Sequence, residues 1–197
     1  MSYLRGSNEY DLLNAVFKND IEKVRRLLDD DPKLLSDANS LGQAIGWSRK
    51  EVVRLIIERG ADLNKIDKYG NHPLDHACNC ICKELFHDLV RHGSNPSRAA
   101  HIVTKAASRG RLDVLRYLRE KGFNMNDPNE RALEGAIGFG SLDTVRFLLD
   151  CGVDASGINI SKPLKPWKGV RADKGTMEEI RMAIQDKQAQ SKPTDPD

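Results

Sequence analysis

The chain has 197 residues, 39% of them hydrophobic, with 31 basic against 29 acidic side chains. That length suits one sizeable soluble domain, and charges spread along the chain give little pull toward a polyanion, which argues against nucleic acid as a partner. No window approaches the roughly 18 consecutive apolar residues a membrane helix requires. The start, MSYLRGSNEYD, lacks the basic region followed by an apolar stretch that marks a signal peptide. Of the four cysteines, Cys78, Cys80 and Cys82 are too closely spaced for a disulfide framework, which points to reduced thiols and a cytoplasmic setting.

One phrase recurs, an apolar residue followed three positions later by alanine: Leu12/Ala15, Leu41/Ala44, Leu74/Ala77, Val103/Ala106 and Leu133/Ala136. Twelve residues after each leading residue stands a second apolar one: Val24, Val53, Phe86, Leu115 and Val145. Helical spacing then continues through Leu27-Leu28, Ile56-Ile57, Leu89-Val90, Leu118 and Leu148-Leu149. The constant offset predicts, in each unit, a short helix, a tight turn and a longer amphipathic helix. Gly110 and Gly140 mark the inter-helix turn of the last two units. Gly60, Gly93, Gly122 and Gly152 stand where a left-handed residue closes a second helix. Between the second and third units, Lys68-Tyr69-Gly70-Asn71 supplies turn residues. A helix is expected to begin at Pro73, where the missing N–H is harmless, with Asp75 facing the positive end of its dipole.

The leading residues lie 29, 33, 29 and 30 positions apart. Because the offset inside each unit is fixed, the shorter intervals must lose residues from the connection after the second helix. A projecting hairpin is therefore expected only around Lys65 to Asn71, with short loops at Pro96 to Ala100 and Asp127 to Glu130. Polar pairs three apart, His72 with Asp75, His101 with Thr104 and Arg131 with Glu134, are placed to link neighbouring turns as a capping box does.

The stretch GADLNKIDKYGNHPLDHAC, residues 60–78, resembles an ankyrin repeat, whose consensus runs roughly G-A-D-V-N-x-x-D-x-x-G-x-T-P-L-H-x-A-A. Five units in one register carry the resemblance over about residues 8–160. It implies an all-α fold: an ankyrin-type repeat solenoid of five to six antiparallel helix pairs with mostly shortened hairpin loops, stacked because no pair buries its apolar face alone. The expected repeats are 8–40, 41–71, 72–100, 101–130 and 131–160, within a single domain over 1–189. After Ile160, Lys162-Pro163-Leu164 restarts the phrase, but Pro166 and Trp167 occupy a place that needs small, helix-compatible residues. Thr176-Met177-Glu178-Glu179 reads as a capping box opening a final helix with Met177, Ile180 and Ile184 on one face. Residues 161–188 are thus expected to cap the last repeat, and 190–197 to be a disordered tail.

The same resemblance implies protein binding through a concave surface, into which the two residues before each inter-helix turn point. Those are Phe17 and Lys18, Gly46 and Trp47, Asn79 and Cys80, Ser108 and Arg109, and Gly138 and Phe139. Aromatics and arginine are the residue types enriched at interface hot spots; the alternative is that Phe17 or Phe139 packs on a neighbouring repeat. Arg49, Arg109 and Arg111 border the surface and suit an acidic patch, and Tyr69 sits at the tip of the one full-length hairpin. The partner is expected to be another protein, met by a monomer acting as inhibitor, adaptor or toxin-immunity-like protein.

His72, His76, Cys78, Cys80, Cys82, His87 and His92 crowd the third repeat, but none of the pairs has the C-x₂-C spacing of a zinc ribbon. No metal and no cofactor is expected, and a thiol- or zinc-responsive regulator is the alternative reading. Gly138-Phe139-Gly140 begins like a dinucleotide fingerprint, yet position 143 is Asp rather than Gly and no strand precedes it. Neither a P-loop nor H-E-x-x-H occurs, so the chain is not expected to be an enzyme.

Overall fold

The computed structural model describes residues 7–127 and 129–191, apart from the side chain of Ala38. Among them are eleven α-helices, two 3₁₀ turns and no strand, and no helix is long and apolar enough to cross a membrane. The chain divides into two compact units, Met1–Ala100 and His101–Asp197.

The first unit holds three helix pairs: α1 (Asn8–Lys18) with α2 (Ile21–Asp30), α3 (Ala38–Gly46) with α4 (Lys50–Glu58), and α5 (Pro73–Asn79) with α6 (Glu84–Arg91). First helices stack on one another, α1 on α3 and α3 on α5, while α2 packs on α4. The second unit holds α7 (Ile102–Ala107) with α8 (Leu112–Glu120), α9 (Ala132–Phe139) with α10 (Leu142–Asp150), and a lone α11 (Lys174–Gln190) laid on α10. Both ends of the twelve-residue offset are core: Val24, Val53, Phe86, Leu115 and Val145 are all 0% exposed, and the five motif alanines at most 1%. The second helices are not consistently the longer ones; α1 has 11 residues against 10 in α2, and α3 and α4 have nine each.

Seven positions after the leading apolar residue, four of the five repeats place a left-handed residue: Asn19 at φ 57°, Ser48 at 56°, Gly110 at 61° and Gly140 at 71°. The third repeat has Ile81 there, and a β-branched side chain is excluded from that conformation. Its turn opens instead: Cys80 is extended at φ −78°, ψ 155°, and α6 starts one residue later in register than the other second helices. The offset to Phe86 survives this change.

The helix at Pro73 begins as expected. His72 Nδ1 accepts the Leu74 N–H at 3.2 Å, and the Asp75 carboxylate accepts the His72 N–H at 2.9 Å. The equivalent pair at His101 differs, since His101 makes no side-chain cap. Glu130 instead accepts the Thr104 N–H at 2.8 Å and the Thr104 hydroxyl. The loops are tied across repeats by matched asparagines. Asn64 Oδ1 accepts the Asn95 N–H at 2.7 Å, and Asn126 Oδ1 accepts the Asp154 N–H at 3.0 Å.

The expected hairpin is a turn rather than a strand pair, closed by Asp67 N–H to Asn71 carbonyl at 2.9 Å. Pro96–Arg98 forms a 3₁₀ turn. At the C-terminus the helix opens earlier than the Thr176 signal suggested, because Asp173 caps it and accepts the Thr176 N–H at 2.8 Å. Met177, Ile180 and Ile184 are buried. Gln190, expected to open a disordered tail, is the last helical residue, and 192–197 lie outside the described residues.

Asp67 holds the turn. It accepts the Tyr69 N–H at 2.8 Å and the Asn71 N–H at 2.9 Å, and lies 2.9 Å from His76 Nε2. His76 in turn fills the space a Cβ on Gly42 would take. Burial by itself raises the Asp67 carboxyl, but the hydrogen bonds from Asn71, His76 and Tyr69 together hold it below the ordinary Asp value. A depressed folded value stabilises the fold above the unfolded value and stops doing so as pH falls through the folded one. Asp67→Ala should cost about 1–3 kcal/mol at neutral pH. The gap to the wild-type melting temperature should narrow as pH drops below about 4, as thermal melts at a series of pH values would read.

Candidate functional site

The ends of the first helices carry the side chains singled out in the sequence. In the first unit, Phe17 lies in the last turn of α1 and is 56% exposed. Trp47 caps α3 and meets Phe17 edge to face, ring centroids 5.1 Å apart at 76°, the arrangement aromatic quadrupoles favour. Arg49 Nη2 donates to the Phe17 carbonyl at 2.9 Å, one of the acceptors a helix end leaves open. Phe17 therefore packs on the next repeat and still shows more than half its surface. Lys18 and Gly46 are exposed, and a Cβ at Gly46 would meet nothing within 4 Å. Asn79 is exposed and donates to the Asp75 carbonyl at 3.0 Å, whereas Cys80 is buried. Tyr69 stands 69% exposed at its turn, with Lys68 Nζ 5.1 Å from the ring centroid.

The second unit is arranged differently. Arg109 is exposed, but Arg111, expected on the border of the surface, is only 4% exposed. Its Nε and Nη2 bond the two Asp113 oxygens at 2.9 and 2.8 Å, so its guanidinium is spent on an internal fork. Phe139 is half-buried against Gly110, where an added Cβ would come within 2.7 Å of its ring. Gly138, the counterpart of Gly46, is covered by the chain itself: a Cβ there would fall inside the Trp167 indole, and the Trp167 backbone N–H donates to the Gly138 carbonyl at 2.7 Å. Sequence reasoning did not place Trp167 there. The available signal was its register, three positions after Leu164, in the slot that alanine fills five times before.

The histidines and thiols of the third repeat are dispersed among separate tasks. His72 caps α5 and His76 serves Asp67, while Cys78 is core, and the Cys80 thiol donates to the Cys82 carbonyl at 2.9 Å. Cys82 Sγ donates to Glu84 Oε2 at 3.0 Å, and Lys50 Nζ lies 3.3 Å from the same oxygen. Hydrogen bonds from the Cys82 thiol, then from its own backbone N–H and from Lys50, hold the Glu84 carboxyl down to about 2, and the Cys82 and Glu84 contacts raise Lys50. Among the described residues no three His, Cys, Asp or Glu side chains gather as metal ligands.

Three outcomes follow from this placement. Gly46→Ala, in an open helical position, should raise stability by about 0.5–1 kcal/mol. Gly138→Ala should lower it by about 1–3 kcal/mol through overpacking and shift Trp emission to the red, as denaturant melts and fluorescence would show. Under native conditions a maleimide should modify Cys151, the half-buried thiol, well before Cys78, Cys80 or Cys82, with rates indifferent to zinc. Fast, zinc-protected modification of the third repeat would contradict the assignment of those thiols to the core.

The family model described as Ankyrin repeats (3 copies) matches residues 79–159, and that described as Ankyrin repeats (many copies) matches residues 41–80. Together they span more than half the chain. No curated protein sequence matches significantly. Among solved structures, the crystal structure of the human ASB11 ankyrin repeat domain aligns with a TM-score of 0.67 at 17% identity, covering 94% of this chain and 85% of that one. At that identity the likeness is one of fold. Ankyrin repeats generally serve as protein–protein interaction modules. Five helix pairs in one register, matched by ankyrin-repeat models from residue 41 to 159, make this chain a member of the ankyrin-repeat family.

Proposed function

We propose that the chain is a non-catalytic protein-binding module. It docks its partner through the ends of its first helices, the surface the family uses, with Phe17, Trp47 and Arg49 as the anchor of the first unit and Arg109 as a cation of the second. The observation that carries this reading is the edge-to-face Phe17 and Trp47 pair, held in place by Arg49 yet left open beside Gly46. Aromatic rings fixed before binding lose little freedom on association, which is the character of a hot spot. Lys18, Asn79 and Tyr69 are exposed and extend the contact. Phe139 contributes the face that Gly110 leaves uncovered. Arg111 drops out, because its side chain is buried.

Residues 1–189 act on this reading as one domain, monomeric and cytoplasmic, that engages a protein rather than nucleic acid or membrane and needs no metal or cofactor. Occupying the partner's surface suits an inhibitor, an adaptor or an immunity-like protein. The test is titration of purified variants against the partner isolated from the native source. Trp47→Ala and Arg109→Ala should each weaken binding about tenfold or more, a loss of at least ~1.4 kcal/mol. Melting temperatures should stay within a few degrees of wild type. Unchanged affinity in both variants would remove the surface assignment.

A further inference from the structure

Residues 161–173, the later part of the connection from α10 to α11, form no regular helix and, with Lys174 at the start of α11, carry charge that the fold does not use. Lys162, Lys165, Lys168, Arg171 and Lys174 recur every third residue, with Asp173 the one acidic neighbour. Asp173 is committed to the cap of α11. All five cations are exposed, and none has an ion-pair partner among the described residues.

The segment is nevertheless fixed in place. Trp167 is seated on Gly138 through its indole and its backbone N–H, and Ala172 fills the space beside Gly140. Between them a turn is closed by Val170 N–H to Trp167 carbonyl at 3.0 Å, with Gly169 at φ 89° as its left-handed residue. Lys165, Lys168 and Arg171 thus bracket an ordered turn around a tryptophan that keeps 50% of its surface exposed. Like charges gathered on one ordered stretch repel one another and favour an anionic ligand. A half-exposed indole supplies an apolar anchor beside them.

We propose that this C-terminal strap is a docking surface for an acidic polypeptide segment. The inference rests on the protein-binding reading for the class of partner and deepens it by giving that partner's charge. The turn from Trp167 to Val170 keeps Lys165, Lys168 and Arg171 on one short ordered stretch beside the indole, a charge pattern that acidic side chains complement. A nucleic-acid strand asks for a series of open aromatic faces, and the strap offers one ring with Gly138 beneath it. An anionic membrane asks for a continuous apolar face beside the cations, and the strap interrupts its apolar residues with lysine, proline and glycine.

The test uses the full chain and three probes near physiological salt: a fluorescein-labelled oligoglutamate peptide, a labelled oligothymidine, and vesicles containing phosphatidylserine. By fluorescence anisotropy and vesicle co-sedimentation, the wild type should prefer the peptide, with affinity falling steeply as salt is added. The triple variant Lys165→Gln, Lys168→Gln, Arg171→Gln should bind it at least tenfold more weakly with an unchanged thermal melt, because these side chains make no contact the fold needs. Equal binding by the triple variant, no binding by the wild type, or tighter binding of oligothymidine or vesicles would each overturn the proposal. Phe17→Ala with Trp47→Ala serves as the control. That variant should keep the peptide while losing the native partner, so a failed strap leaves the first-unit reading standing, and a failed first-unit reading leaves the strap.

Discussion

Five alanines, none more than 1% exposed, lie in first helices that stack on one another within each unit. The rest of the structure depends on that packing. A helix pair here has too little apolar surface to be stable alone and gains it by contact with the next pair. Beside the small alanines, leading residues such as Leu74 and Leu133 are fully buried and fill the core. The twelve-residue offset then brings Val24, Val53, Phe86, Leu115 and Val145 to the same depth in every repeat. Where the sixth such alanine would fall, the chain has Trp167, preceded by Pro166. No first helix forms, and the indole lies outside on Gly138 while α11 alone covers α10. The array is thus brought to an end by the same position that propagates it.

Much of this was legible beforehand, for a physical reason: a periodic core demands a periodic sequence. The start at Pro73, the left-handed glycines at 60, 93, 122 and 152, and the covering role of Met177, Ile180 and Ile184 all follow from local chemistry acting within a few residues. What escaped were choices among competing partners, near and far in sequence. Arg111 looked like a surface cation because an aspartate two residues on does not by itself say that the guanidinium is buried with it. Thr176 looked like a cap because the signature T-x-x-E is present, but Asp173 three residues earlier is the stronger acceptor for the same N–H. The covering of Gly138 is of this kind too. A glycine within a helix announces a close approach without naming what approaches.

The two units present their helix ends in different states. At Gly46 the surface is open, and aromatic side chains from two repeats support each other there; at Gly138 the equivalent place is filled by the chain's own tryptophan, and the exposed character around it turns cationic. One is an aromatic contact suited to apolar anchoring, the other a charged one suited to electrostatic steering, which raises encounter rates more than lifetime. The Cys82, Glu84 and Lys50 contacts belong to neither. They arise where Ile81 forces the third inter-helix turn open and brings Cys82 to Glu84.

The most direct measurement is hydrogen–deuterium exchange on the chain with and without its isolated native partner. Slowed exchange should concentrate at the helix ends, residues 17–19, 46–49 and 108–110, and along the strap at 162–171, with the loops at 60–66 and 93–98 unchanged. Protection of those loops, with the helix ends and the strap left as in the free chain, would contradict the assignment of the binding surface.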